Sequence, residues 1–450
     1  MFTSASHDRQ LSFFSSDLMS QLDTQDPLLI LAKRIKWQEF EDSFIKHYSL
    51  TTGRPSKPIR LMVGLLILKQ LENLSDEAVA LQFKRNPYYQ AFCGLNEFTS
   101  TMPCAGSELT HFRNRIGVQG IEQIFKMSIS IHGTAIEEKD VNIDTTVQEK
   151  NITYPTDGKL RIKIINRLNK IAKYHHISQR RTYTKEIKEL RLSLRFFRHI
   201  KKRKKAKAAI KRLQTIGMKL IRELSRKLPE AILTQYQLDI DLYVKVLKQQ
   251  KQDKNKIYSL HEPQIYCIAK GKDHKAYEYG TKASIVTTAK QGIILAAVSH
   301  DKNIHDSHTL EEVLDKTNQV RKKFPVRAVC DRGYRGVKRI GATEIVLPKA
   351  PLARDNRYQR DIKRKRCRRR AAIEPIIGHL KSDHRLATNY LKGFAGDQIN
   401  LFMAACAWNL KKWVRCFYLL ENSDFLRVIF DIYRYFYAKL ACRNNKIVYC

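Results

Sequence analysis

From residue 1 to about residue 135 the apolar positions recur at helical spacing. The run LMVGLLILKQLENL, Leu61 to Leu74, predicts an apolar helix. Ser75 then offers an N-cap, and Asp76 and Glu77 suit the positive end of a following helix, DEAVALQFKRN. Ser107 is a second candidate cap, ahead of ELTHFRNRIG, which displays His111, Arg113 and Arg115. Two readings stay open for these helices: a helix-turn-helix on DNA, or an ordinary helical hairpin. At Asp140 the pattern changes. VNIDTTV sets Val141, Ile143, Thr145 and Val147 against Asn142, Asp144 and Thr146, the period of a strand with one face in the core and Asp144 on the other.

Between about Lys159 and Gln250 the helical period returns, crowded with cations as in RFFRHIKKRKKAKAAIKRL. Ile210, Leu213, Gly217, Leu220 and Leu224 recur in alternating steps of three and four, which predicts a helical hairpin or short coiled coil. Strand patterns resume after Pro263 with QIYCIAK, YEYGTKASIVTT and GIILAAVSH. DSHTLEEVLDKTNQV reads as a helix capped by Asp306 or Ser307, and FPVRAVCD and ATEIVLP as two more strands. A basic run from Lys363 to Arg370 leads into a helix, and INLFMAACAWNLKKWV is a further amphipathic helix. The fold class that follows is α/β: one mixed sheet flanked by helices, preceded by an all-helical region and interrupted by a basic helical hairpin.

Charge narrows the function. Across 450 residues, 83 Lys and Arg face 44 Asp and Glu, a formal charge of +39. Such a chain calls for a polyanionic partner, nucleic acid first. With 43% hydrophobic residues it has the makings of a folded core rather than of a disordered basic tail. Nine cysteines without a CxxC pair suggest neither a zinc site nor a disulfide framework, which fits a reducing cytoplasm. LFMAACAWNLKKWVRCFYLL is interrupted by Lys411, Lys412 and Arg415, so no membrane span is expected.

In so basic a protein, acids beside phosphate would repel the ligand unless a divalent cation lay between them. Mg²⁺ or Mn²⁺ takes oxygen ligands and keeps phosphate oxygens in its shell, so two or three converging carboxylates suffice to hold one or two ions. Three acids qualify: Asp144 on the NIDTTV strand, Asp331 at the end of PVRAVCD, and Glu374 at the start of the last-named helix. At 100° per residue, Lys381 lies about 20° from Glu374 around that helix, and Gly378 and Arg370 about 40°. Ile373, Ile377 and Leu380 fall on a neighbouring face suited to the sheet. Pro375 fits the first helical turn and puts Arg370 just before it.

The succession NIDTTVQEKNITYPTDGKL, SLHEPQIYCIAKGKDHKAYEYGTKASIV, HDSHTLEEVL, AVCDRGYRG and RRRAAIEPIIGHLKSDHRL resembles bacterial insertion-sequence transposases with an Asp-Asp-Glu (DDE) core of ribonuclease-H-like fold. The resemblance runs from about residue 50 to 415. Its most specific part is a Tyr, Arg, Glu, Lys signature with two, three and six residues between members. Arg370, Glu374 and Lys381 match it, and Cys367 stands at the Tyr position.

The resemblance implies that Asp144, Asp331 and Glu374 bind the metal and catalyse, and that Arg370 and Lys381 contact DNA, joined here by their neighbours Arg369 and Arg385. It implies double-stranded DNA as partner, assembly as a homodimer or larger, and a cytoplasmic, nucleoid-associated location. The expected division is a helical DNA-binding domain at 1–135, a core at 136–160 and 255–415, an inserted basic region at 160–255, and a helical tail at 416–450. Two alternatives accompany the transposase: a nuclease of the same fold, and a non-catalytic nucleic-acid-binding protein.

Overall fold

A computed structural model describes residues 17–421 apart from positions 50, 251, 273 and 274, so most of the expected tail lies outside the described residues. Helices α1 (Leu18–Gln21), α2 (Pro27–Arg34), α3 (Trp37–Phe44), α4 (Ile59–Leu71), α5 (Asp76–Arg85), α6 (Pro87–Phe92) and α7 (Gly106–Ser130) come first. The apolar run becomes α4, buried on nearly every side. Ser75 caps α5 as its chemistry dictates, accepting from the Ala78 N–H at 3.0 Å.

Two expectations change here. The cap of α7 is not Ser107: the helix begins at Gly106, and the Glu108 carboxylate accepts from the Ala105 N–H at 2.8 Å. Arg113 is not displayed either. It is buried, forked onto Asp76 at 2.8 and 2.7 Å, while Lys69 meets the same acid at 2.8 Å. His111 and Arg115 do reach the surface, where Arg115 lies over the Tyr48 ring. Gly117, at φ +63°, bends α7 in its middle, a conformation that costs a side-chain-free residue little.

The rest of the chain supplies β1 (Asp140–Lys150), α8 (Asp157–Tyr174), α9 (Thr184–Leu194), α10 (Arg203–Lys227), α11 (Glu230–Lys248), β2 (Tyr266–Lys272), β3 (Lys275–Thr288), β4 (Ile294–His300), α12 (Leu310–Gln319), β5 (Arg327–Val329), β6 (Arg339–Ile340), β7 (Thr343–Val346), α13 (Arg357–Ala371), α14 (Ile373–Asp383), β8 (Thr388–Asn389) and α15 (Gly393–Glu421). The eight strands form one mixed sheet with the order β2-β3-β1-β5-β7-β6, β4 pairing with β3 and β8 with β1. Strands before and after the basic segment therefore share a sheet. β1 runs antiparallel to β3, and parallel to β5 and β8.

One apolar core joins this sheet to the N-terminal helices, with α15 between them. Two amides of α15 complete the edge strand: Asn409 bonds both the N–H and the carbonyl of Ile294 at 2.9 Å, and Gln398 bonds the Ser299 N–H and the Ala297 carbonyl. A second core belongs to the insertion. Leu213, Gly217, Leu220 and Leu224 are buried along α10, as their heptad spacing predicts, while Ile210 is half-buried. The insertion is more than a hairpin, because α8 and α9 add Leu160, Ile164, Leu168 and Ile187 to the α10–α11 pair. Each such side chain gains roughly 1.5–3 kcal/mol by leaving water, enough to support a unit of its own. Its cations, Lys204, Lys205, Lys207 and Lys211 among them, stay on the outer face.

Candidate active site

β1 departs from the simple alternation, since Asn142, Thr146 and Gln148 are buried as well as Val141, Ile143 and Val147. The polar face is covered by elements that bond to it. Asn142 donates its amide to the Arg369 carbonyl at 2.9 Å, and Gln148 donates to the Asp397 carbonyl at 3.0 Å. The edge of β1 opposite β3 pairs with β5 from Asp140 to Asn142 and with β8 at Glu149 and Lys150. Asp144 lies in the interval between.

Asp331 is its neighbour by register. Asn142 pairs with Val329 in parallel, and each aspartate comes two residues later on its own strand. Beyond β5 the chain turns through a short 3₁₀ segment, Arg332–Tyr334, and Asp331 caps it by accepting from the Gly333 N–H at 2.8 Å. Capping leaves the second Asp331 oxygen uncommitted by that bond.

Glu374 arrives from the helical side. The basic run, expected as a lead-in, is itself helical as α13, and a break at Ala372 separates it from α14. Ile373, Ile376 and Leu380 seat α14 on the core, with Ile377 only half-buried, and the Asn142–Arg369 bond holds the break against β1. Glu374 is exposed and ion-paired with Arg370 one turn back. Arg369 meets Asp140 at 3.4 Å, an acid that also holds Arg327. Lys381 lies further along α14, half-buried. Arg385 sits at φ +61°, donates to the Asn73 carbonyl at 3.1 Å and lies over the Tyr390 ring. It is thus engaged in tying the end of α14 to the N-terminal helices, a tie that Gln70 strengthens by donating to the His384 carbonyl at 2.6 Å.

Asp144 feels both of the other acids. Burial pushes the Asp144 carboxyl up to about 6; the Thr145 N–H and Arg370 oppose the shift, while Asp331 and Glu374 add to it by repulsion. Among the described residues no three His, Cys, Asp or Glu side chains stand close enough to form a ready chelate. The donor set nevertheless fits a hard divalent cation: all oxygen, with like charges that such an ion would relieve.

One acid near this cluster was read from the sequence only as a helix cap. Asp306 caps nothing; the His305 ring accepts from the Ser307 N–H instead, and α12 begins at Leu310. Asp306 Oδ1 accepts from Lys282 Nζ at 2.9 Å and from the Thr145 hydroxyl at 3.1 Å. Its only sequence signal was the HDSH run, which carries no spacing rule of its own.

Comparison with known proteins joins this geometry. A family model described as "Transposase domain (DUF772)" matches residues 16–115, and one described as "Transposase DDE domain" matches residues 245–410, together more than half of the chain. The chain is a DDE transposase. Asp331 and Glu374 fall within the second match, and Asp144 lies between the two. The transposase is also similar to a Rhizobium meliloti protein named "Uncharacterized protein ORF8 in nfe locus", at 39% identity over 191 residues, 41% of this chain and 92% of that protein. No solved structure matches. The mixed sheet flanked by helices is that of a ribonuclease-H-like DDE domain, the enzyme is a polynucleotidyl transferase acting on DNA, and the family depends on divalent metal. Among the described residues no helix is long and apolar enough to cross a membrane.

Proposed function

We propose that Asp144, Asp331 and Glu374 are the catalytic triad of this transposase, holding two Mg²⁺ or Mn²⁺ ions against the scissile phosphate of an insertion-sequence end. The observation that carries this reading is the parallel register that sets Asp144, inside β1, beside Asp331, just past the end of β5, with Glu374 near enough to raise Asp144. When bound, the ions supply charge stabilisation for the attacking and leaving oxygens of an in-line displacement. In cleavage a water oxygen bonds to phosphorus as the P–O3′ bond breaks, and the leaving 3′-oxygen takes up a proton. In strand transfer that 3′-hydroxyl bonds to a target phosphorus and displaces the target's own 3′-oxygen.

The chain's other residues bind and orient the DNA. Arg370, Arg369 and Lys381 meet backbone phosphates beside the triad, and Arg385, tied to Asn73, adds positive charge at the same edge. Residues 1–135 contact the element end, the core comprises 136–160 and 255–415, and the basic region at 160–255 holds duplex through its outward cations. Two copies act on two ends together.

The experiment incubates purified protein with labelled element ends in Mg²⁺, in Mn²⁺ and in EDTA, comparing wild type with Asp331→Ala and Glu374→Ala. Metal-dependent nicking and joined products are expected from wild type alone. Equal cleavage by all three proteins, or cleavage that survives the chelator, defeats the assignment.

A further inference from the structure

We propose that Asp306 is a positioning residue of the active site: a fourth carboxylate that holds the Asp331 turn in place and raises the affinity of the triad for divalent ions. The inference rests on the triad reading above.

Asp306 stands where three parts of the site meet. Lys282, on β3, donates to Asp306 Oδ1 at 2.9 Å and to the Ile304 carbonyl at 2.7 Å, so one ammonium fixes both the acid and the loop that carries it. The Thr145 hydroxyl, next to Asp144 on β1, donates to the same oxygen at 3.1 Å. The second oxygen faces the other way. A Cβ placed on Gly333 would lie 3.0 Å from Asp306 Oδ2 and 3.0 Å from Asp331 Oδ1, so both carboxylates press on the same glycine, where a side chain would be crowded. Beside them Tyr334 is fully buried, its hydroxyl has no hydrogen-bond partner, and it feels the charges of Asp306, Asp144 and Asp331.

A tether alone explains less. To bind the loop to β3, an amide oxygen receiving the Lys282 and Thr145 hydrogen bonds would serve, with no charge beside Asp331. The carboxylate is held by its Lys282 ion pair, and its second oxygen, turned toward the Asp331 turn, would attract a cation bound there. The buried Tyr334 hydroxyl, left without a hydrogen-bond partner, belongs to the same short turn as Gly333. Groups that orient a metal's ligands from behind typically change its affinity about tenfold to a hundredfold when removed.

The test measures Mn²⁺ binding directly, by electron paramagnetic resonance of the free ion, in wild type, Asp306→Asn, Gly333→Ala and Asp331→Asn, with thermal unfolding of each metal-free protein. Asp306→Asn keeps both hydrogen bonds and loses the charge. The expected result is an affinity about ten to a hundred times weaker, with a lower unfolding temperature because the Lys282 ammonium loses its counter-ion. Unchanged affinity in Asp306→Asn overturns the proposal, with or without a change in unfolding temperature. If Asp306→Asn does not fold, Gly333→Ala decides, since a methyl between the two carboxylates is expected to weaken binding and unchanged affinity again overturns it. Asp331→Asn separates the layers: Mn²⁺ binding retained there removes the triad reading itself, whereas binding lost there and kept in Asp306→Asn removes only the role given to Asp306.

Discussion

Strand β1 carries two clusters of charged groups, and they are built on opposite principles. At its C-terminal end Lys150 is buried with Asp397 at 2.8 Å and Glu262 at 3.5 Å, and donates to the Leu391 carbonyl at 2.7 Å and the Gly393 carbonyl at 3.2 Å. Asn389 donates to Asp397, the Gly393 N–H bonds to Glu262, and Asn400 donates to Gln148. This cluster is closed, because an ammonium sits among the acids and the surrounding amides bond most of what remains, Asp397 Oδ2 excepted. Six residues earlier, Asp331 neighbours both Asp144 and Asp306, with Glu374 near by, and the compensating cations, Lys282 and Arg370, each take one acid at the rim. Closed clusters hold a fold together, whereas an open one stores repulsion that only a ligand removes.

The sharpest way to test the contrast is to substitute one charged residue in each cluster. Asp331→Asn is expected to lower cleavage by at least about a thousandfold, several kcal/mol of lost charge stabilisation, with no loss of thermal stability. Cleavage assays paired with calorimetry read both. Lys150→Met should do the reverse. Leaving Asp397 and Glu262 buried and uncompensated costs about 3–5 kcal/mol of folding free energy in urea titration, with activity lost only as far as the fold is lost. If Lys150→Met unfolds at wild-type denaturant concentration, the closed cluster is not structural and the comparison fails.

Asp144 gives the open cluster a pH signature. Its carboxyl is raised to about 6, chiefly by burial, with Asp331 and Glu374 adding to the shift and the Thr145 N–H and Arg370 opposing it. An acid raised in the folded state contributes stability that is fully present below its unfolded value, near 4, and is lost as pH climbs through about 6. The metal-free wild type therefore loses on the order of 3 kcal/mol from this group across that window. Asp144→Asn removes the term. It should match wild type near pH 4, exceed it by up to about 3 kcal/mol at pH 8, and cleave no DNA. Parallel denaturation curves for the two proteins from pH 4 to pH 8 would contradict the strain assigned to the site.

The same contrast explains what was legible in the sequence. Periodicity found the β1 strand, the α4 and α10 helices and the strands on either side of the insertion, because burial of one face or stripe imposes its period locally. Asp144, Asp331 and Glu374 were visible as acids at the ends of apolar runs. Arg113 misled, since a helix sequence does not say that Asp76 waits on its buried side. Asp306 was read as a cap because its partners, Lys282 and Thr145, lie 24 and 161 residues away and only the sheet brings them together. The extra helices around the α10–α11 hairpin were hidden for a similar reason: α8 and α9 bury a face whose partner is chosen by tertiary packing. The resemblance supplied roles for residues that patterns could only locate.

The smallest expected effect concerns the rim. Glu374 is 57% exposed and its pair with Arg370 is of the i, i+4 kind. Such pairs contribute only about 0.3–0.5 kcal/mol to folding, so Arg370→Gln should leave the unfolding free energy almost unchanged. Its effect belongs in DNA binding instead. One phosphate contact fewer should lower the slope of log affinity against log salt concentration by about one and weaken binding to all sequences alike. Lys282→Gln, a change behind the acids rather than beside the phosphate, should leave that slope as it is. A wild-type salt slope for Arg370→Gln would return Arg370 to a purely local partner of Glu374, and the open cluster would then face DNA without the cation nearest its glutamate.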